Sequence, residues 1–412
     1  MNLGTRSRYN GPIVTKGSHS LENLTAEPFR LFFPTGMIFG LLGVLLWPLF
    51  HAGWLPYYPS FAHTRLMISG FAAFFIFGFL MTAGPRLLGV PAFSRTAVLS
   101  VFSLSCAACI AQLFNWIVLG DLVFCASVGV VLSFAAQAYR YRSDCPPPGF
   151  PLAALGLASA FVGSLSLALV TFGWSNPHLF GLGKILLFQG FTLLPIVGVG
   201  AFFFPKLLGS RNHHDFPEMR IANSEWKRRF KHSCLVGICF LVSVVLELAG
   251  YIAVAYLLRL AALVGYCWFE IPFRELRLNR SLHGAQLLAI LSTIAIGLAG
   301  AALFPAQKIA WLHAYFLVGL TGVIFLVSIR VVFGHSGRPD LILKSSRLSK
   351  WITGALVLAA ATRIFADFYL SVQTSHYLYA AALWLVCGFV WLLFVAPKTM
   401  VTEPETSPSC HS

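Results

Sequence analysis

The chain contains 412 residues, of which 58% are hydrophobic and only 10% are charged, and its mean hydropathy is +0.78. Soluble globular domains carry about 25% charged residues, so this composition excludes a soluble protein and indicates a polytopic membrane protein. The formal net charge of +15 would also suit a protein that binds nucleic acid. The positions of the basic residues give that charge a different explanation.

Twelve apolar segments are long enough to cross a bilayer as helices. They cover residues 31–51, 62–84, 97–119, 121–139, 151–173, 179–204, 232–249, 250–271, 284–304, 309–333, 350–371 and 377–396. We therefore predict an all-α membrane protein with one twelve-helix domain over residues 29–397. A polar tail over residues 1–28 and a second tail over residues 398–412 are expected to be cytoplasmic, and the lipid bilayer is the predicted partner.

Lys and Arg residues are concentrated in the N-terminal tail and in every second loop. The intervening loops hold almost none, and the exceptions are Lys184 and Lys308. Because basic loops stay in the cytoplasm, this alternation predicts that both termini are cytoplasmic. The positive charge is thus a signal of membrane topology, and no nucleic-acid partner is expected.

Three histidines recur at a regular interval. His63, His178 and His313 lie at or near the outer start of spans 2, 6 and 10, four spans apart each time. Spans 2 and 6 also end alike, with Gly-Pro-Arg-Leu-Leu-Gly at residues 84–89 and Phe-Pro-Lys-Leu-Leu-Gly at residues 204–209. The pattern predicts three repeats of four helices. In architecture this resembles the haem–copper oxidases, but span 7 has no outer His, so their copper site is not expected.

His63 and His313 lie within the outer leaflet, where an imidazole is costly unless it faces the protein interior and has a partner. Neutral imidazole is the commonest haem and metal ligand in proteins. We therefore predict that His63 and His313 face a shared cavity and are axial ligands of a haem b in the outer half of the bundle. His178, at the interface with water, is either a third metal ligand or a solvated helix cap.

Ionisable side chains inside spans also need a partner or a cavity. Arg363 and Asp367 are four residues apart on span 11 and are expected to pair on one helix face. Arg259 lies midway along span 8, and its nearest acid in the sequence is Glu247, at the outer end of span 7. Arg65 lies near the outer start of span 2. These arginines either form buried ion pairs that fix helix register, or bind haem propionates, for which a guanidinium is well suited.

A set of motifs spread over most of the chain is specific enough to suggest a family. The motifs are Glu27-Pro28-Phe29-Arg30, Phe32-Phe33-Pro34, His63 with Met67, Gly70-Phe71, residues 78–83, His313-Ala314, Gly319, Gly322, Arg330, the turn at residues 334–339, Arg363, and residues 380–384. In these residues the sequence resembles the NnrS family of bacterial membrane proteins. The turn Gly-His-Ser-Gly-Arg-Pro at residues 334–339 is the most specific of them.

The resemblance implies a haem- and copper-containing protein of the bacterial cytoplasmic membrane, associated with nitric oxide metabolism and nitrosative stress and without a settled enzymatic reaction. The family usually carries a His-x-His-Glu-Met run on its second helix. Here the run is His63-Thr64-Arg65-Leu66-Met67, so Arg65 replaces the second His and Leu66 replaces the acid. This loss argues against copper, and if the lost residues serve copper or a second haem in the family, a single centre is expected here. At least one haem b is predicted.

Two functions remain open on the sequence. In the first, an outer-half haem serves the nitric oxide response through redox or ligand-binding chemistry, with Arg363, Arg65 or Arg259 near its propionates. In the second, the protein is a small-anion carrier or membrane scaffold without a redox centre. The sequence identifies neither a catalytic residue nor an electron donor.

Overall fold

The computed structural model describes residues 21–271, 273, 283–336 and 339–401. Within these ranges it contains twelve helices long and apolar enough to cross a membrane, and no strand. Numbered α1 to α12 in chain order, they are Phe29–His51, Ser60–Leu88, Arg95–Leu113, Ile117–Arg140, Phe150–Phe172, Pro177–Leu208, Ser224–Leu248, Ile252–Glu270, Gly284–Leu303, Pro305–Gly334, Ser345–Phe368 and Leu370–Met400. The predicted fold class and number of spans are confirmed.

The helix boundaries show where apolar runs misplace an end. The third predicted span ran to residue 119, whereas α3 ends at Leu113 and α4 begins at Ile117. Between them Asn115 has a φ of 60°, the left-handed conformation that Asn tolerates better than most residues, and the chain reverses there. The predicted boundary at residues 249/250 agrees with the structure, because α7 ends at Leu248 and Gly250 has a φ of 90°.

Helices α2, α6 and α10 form the interior of the bundle, since they are the three most buried of the twelve. An apolar cavity of about 80 Å³ lies among them, lined by side chains of α1, α2, α6 and α10. Consecutive helices such as α3 and α4 pack against each other, and α12 packs on α1, which closes the ring. We call the half of the bundle that contains His63 and His313 the outer half, and the half that contains both ends of the described chain the inner half.

The three interior helices share an unusual backbone feature. Each contains a π-helical segment, and these segments are Leu66–Ala72 in α2, Leu186–Gly190 in α6 and Tyr315–Leu320 in α10. No other π segment occurs in the described part of the chain. π segments are rare in proteins, and those that occur are often found at functional sites. The outer half is therefore the first candidate for a functional site.

The π segments also define a common register for α2 and α6. They begin at Leu66 and Leu186, 120 residues apart, and the similar endings at residues 85–89 and 205–209 are again 120 residues apart. The final glycines of both endings have positive φ, 62° and 67°, as is common where helices end. This agreement favours the three repeats of four helices, which stay a prediction.

The two ends of the described chain meet in the inner half. Arg30 donates hydrogen bonds to the carbonyl oxygens of Thr399 at 2.5 Å and Val401 at 2.9 Å. Residues 21–28, assigned to the N-terminal tail on the sequence, include a short helix, Leu21–Ala26, which packs near α1 and α3. The remainder of both tails lies outside the described residues.

Candidate functional site

His63 is held by a neighbouring helix. Its Nδ1 lies 2.9 Å from the carbonyl oxygen of Gly43 on α1, and its ring packs edge-on against Trp47 with centroids 5.8 Å apart. A side chain at Gly43 would approach the Cβ of Leu66 to 2.9 Å, so glycine allows α1 and α2 to come this close. The imidazole is therefore fixed from α1 while remaining half-buried.

His313 is held by its own helix. Its Nδ1 lies 2.7 Å from the carbonyl oxygen of Ile309, one turn earlier in α10, and its side chain is also half-buried. His63 and His313 lie close enough to interact electrostatically. The structure thus brings the two predicted ligands to one place in the outer half.

Both histidines present the same nitrogen atom. A backbone carbonyl accepts only a hydrogen, so the bonds to Gly43 and Ile309 place the proton of each neutral ring on Nδ1. No hydrogen-bond partner for the Nε2 atom of either His63 or His313 occurs among the described residues. An imidazole with Nδ1–H bonded to a carbonyl and a free Nε2 lone pair is the usual arrangement of a haem or metal ligand.

Arg363 completes this cluster from α11. It interacts electrostatically with both His63 and His313 and pairs with Asp367 at 2.8 Å, which confirms the predicted i, i+4 ion pair. Its guanidinium lies 3.9 Å from the ring centroid of Tyr377 on α12, and the Tyr377 hydroxyl donates to Asp367. A cation thus stands beside two imidazoles, as a site for an anionic cofactor requires.

Arg65 and Arg259, the other two predicted propionate ligands, lie in buried ion pairs. Arg65 forms two hydrogen bonds to Asp121 on α4, at 3.2 and 3.0 Å, and both side chains are almost wholly buried. Arg259 pairs with Glu247 at 2.6 Å, as their positions in the sequence suggested, and also bonds to Gln189 at 2.9 Å. A buried charge needs such a partner, so these contacts favour a role in fixing helix register.

His178 is not brought to the other two histidines. It is exposed in the first turn of α6, where its backbone N–H is bonded to the Asn176 side chain. Among the described residues, no three His, Cys, Asp or Glu side chains converge on a possible metal position. In the register set by the π segments, Lys184 precedes the segment by two residues, as His313 does in α10.

Sequence reasoning missed the residues that hold the site in place. The Gly43 carbonyl, Trp47 and Tyr377 lie on α1 and α12, for which no candidate site residue was predicted. A glycine spacing in α1 was the one available clue, since Gly36, Gly40 and Gly43 all face α2. The π segments had no sequence signal that we recognised.

Several motif residues gather at the inner end of the bundle. Arg86, at the end of α2, pairs with Glu27 at 2.9 Å and lies 3.1 Å from Nε2 of His335, in the turn after α10. Glu27 also pairs with Arg30 at 2.6 Å. Gly337 and Arg338 lie outside the described residues, so the turn at residues 334–339 is not described in full. The contacts present tie α1, α2 and α10 together.

A family model described as NnrS protein matches residues 23–401, nearly the whole chain. In general terms this match supports a membrane protein related to nitric oxide. No curated protein matches the chain significantly.

Proposed function

Because the chain belongs to the NnrS family, we propose that it binds one b-type haem between His63 and His313 and serves the nitric oxide response through that haem. The observation that carries this proposal is the pair of half-buried imidazoles whose Nδ1 atoms are bonded to carbonyl oxygens and whose Nε2 atoms have no partner among the described residues. Such a pair is equipped to bind iron from two sides.

The residues present fit a haem in three respects. His63 and His313 offer two nitrogen donors, the Gly43 backbone and Trp47 hold one of them, and the Arg363 guanidinium is placed to bind propionate. Haem iron supplies one-electron chemistry and binds nitric oxide. His63 and His313 would both hold the haem iron and would leave no position on it open, which favours electron transfer or sensing over turnover, and we propose no catalytic residue.

We place the protein in the bacterial cytoplasmic membrane with both termini in the cytoplasm, from the distribution of basic residues. The haem would then lie near the periplasmic side. Copper is not part of the proposal, since Arg65 replaces the second His of the family's run and is paired with Asp121. The electron donor is not identified.

The test is a reduced-minus-oxidised optical spectrum of the purified protein, with iron and copper measured on the same sample. We expect a b-type signal in the wild type, its loss in His63→Ala and in His313→Ala, and its retention in His178→Ala, the matched control. Adding imidazole to His63→Gly should restore part of the signal, which separates a lost ligand from a misfolded protein.

Two results would overturn the proposal. One is a wild-type protein without haem when it is expressed in a host that supplies haem. The other is an undiminished b-type signal in His63→Ala or His313→Ala. A copper content close to one per chain would overturn the single-centre prediction and leave the haem ligands standing.

A further inference from the structure

Two lysines depart from the charge pattern that sets the topology, and the structure brings them together. Lys184 and Lys308 lie toward the outer ends of α6 and α10, where basic residues are otherwise almost absent. The Lys308 ammonium lies 3.0 Å from Glu247 at the end of α7, and the first turns of α6 pack on that same end, where a Cβ at Gly181 would come to 2.8 Å from the Leu248 side chain. Lys184, one turn after Gly181, therefore lies on the part of α6 nearest Glu247, and it interacts electrostatically with Lys308 and Glu247. Residues far apart in sequence thus form one basic cluster.

The cluster carries more positive than negative charge. Arg259 and Lys308 share Glu247, the one carboxylate at ion-pair distance from either of them within the described residues, and Lys184 has no carboxylate at that distance. Arg65, which also interacts with Lys184, is already neutralised by its own partner on α4. Two positive charges therefore remain uncompensated in the outer half, which is costly there unless an anion or water meets them.

Lys184 is the open side of the cluster. Its side chain is exposed, and its ammonium lies 5.2 Å from the ring centroid of Phe180. The Lys308 side chain is 31% exposed, and its ammonium group donates one hydrogen bond to Glu247. Both ammonium groups therefore have donors left for a ligand arriving from water, whereas the Arg259 guanidinium is enclosed by protein partners.

We propose that Lys184 and Lys308 bind a small oxyanion in the outer half, at a site separate from His63 and His313. Ammonium groups are compact point charges with three donors, so they suit a compact ion such as nitrite, nitrate or phosphate. A lipid phosphate headgroup offers the same chemistry. Because the Glu247 side chain beside these lysines is only 6% exposed, a compact free ion is the source that the geometry favours over a lipid headgroup.

The test is titration calorimetry of the detergent-purified protein with sodium nitrite and with sodium phosphate in a low-chloride buffer. We expect binding that weakens about tenfold in Lys184→Gln and in Lys308→Gln, as for the loss of one charge-assisted hydrogen bond. Lys206→Gln is the matched control, since Lys206 lies on the same helix, carries the same charge and also lies over a ring, that of Phe202. It should bind as the wild type does.

Absence of heat up to roughly 10 mM of either ion would overturn the proposal, and so would equal weakening in Lys206→Gln. Native mass spectrometry of the same samples identifies the source. A bound anionic lipid that is lost only in Lys184→Gln and Lys308→Gln, without binding of free ions, would overturn the free-ion assignment. Repeating the titration in His63→Ala separates this site from the haem proposal, because anion binding should persist there.

Discussion

Two clusters in the outer half have the same composition and different surroundings. They are Arg363–Asp367–Tyr377, the Arg363 cluster, and Arg259–Glu247–Tyr256, the Arg259 cluster. In each, the arginine pairs with the carboxylate, the tyrosine hydroxyl donates to that carboxylate, and the tyrosine ring lies near the guanidinium. The Arg363 cluster lies beside two histidines, and the Arg259 cluster lies beside two lysines.

The difference lies in burial and in unused donors. The side chains of Arg363 and Asp367 are 13% and 17% exposed, whereas those of Arg259 and Glu247 are 1% and 6% exposed. The Arg259 guanidinium has further bonds to Ser243 and to other neighbours, so it is held on every side. In the Arg259 cluster these three residue types thus form a buried structural ion pair. In the Arg363 cluster the same residue types form a partly exposed ion pair that places a cation beside two imidazoles.

The largest expected effect follows from breaking the buried ion pair of the Arg259 cluster. Arg259→Met leaves the buried Glu247 carboxylate with Lys308 as its remaining cation, and removal of one partner of a buried ion pair costs about 3–5 kcal/mol. We expect the free energy of unfolding, measured in mixed detergent and SDS, to fall by that amount. Arg363→Met should cost clearly less, because its pair is partly open to water.

A double variant sharpens this prediction. Arg259→Met combined with Glu247→Met removes both buried charges, so it should recover most of the stability that Arg259→Met alone loses. Equal stability of Arg259→Met and Arg363→Met would contradict the contrast between the two clusters.

The next largest effect concerns the Arg363 cluster and rests on the proposed haem. Arg363→Gln removes a charge-assisted hydrogen bond to a propionate, so haem should dissociate about 10- to 100-fold more readily. Transfer of haem to an excess of apomyoglobin measures this loss. Arg259→Gln, compared at a temperature where it remains folded, is the matched control and should not change haem transfer. Unchanged haem retention in Arg363→Gln would remove Arg363 from the site.

The contrast between the clusters was only partly contained in the sequence. Both ion pairs could be predicted, because Arg363 and Asp367 are one helical turn apart and Glu247 is the nearest acid to Arg259. The burial of each pair depends on which helices lie inside the bundle, and hydropathy is similar for inner and outer spans of a membrane protein. Neither the residue spacing nor the hydropathy could therefore show which of the two arginines is buried and which is partly open to water.

The histidines teach the same lesson about register. His63, His178 and His313 were equivalent on spacing from the apolar segments, yet His178 lies eight residues before its π segment, whereas His63 and His313 lie three and two residues before theirs. A π segment has more residues per turn than an α-helix, but in a span that is apolar throughout it leaves no change in the hydropathy pattern of the sequence. Lys184 was noted in the sequence only as an exception to the charge pattern. It lies two residues before the π segment of α6, as His313 does in α10.

The smallest effect comes from another Arg–carboxylate cluster, at the inner end, whose carboxylate Glu27 lies just before α1. Burial alone would raise the pKa of Glu27, but His335, Arg30 and Arg86 hold that pKa below its ordinary value. A carboxyl with a lowered pKa in the folded state adds stability above the pKa of the unfolded chain, and that stability is lost as pH falls through the folded value. Glu27 therefore stabilises the protein at neutral pH.

We expect Glu27→Gln to lower the free energy of unfolding by about 1.5 kcal/mol at pH 7, the low end for hydrogen bonds to a charged group. The difference from the wild type should begin to shrink as pH falls below about 4.5, where Glu27 of the unfolded chain takes up a proton, and should vanish below the lowered pKa of the folded carboxyl. Unfolding of both proteins followed from pH 7 to pH 3 measures this. A difference that stays constant over the range would show that Glu27 acts through packing and not through its charge.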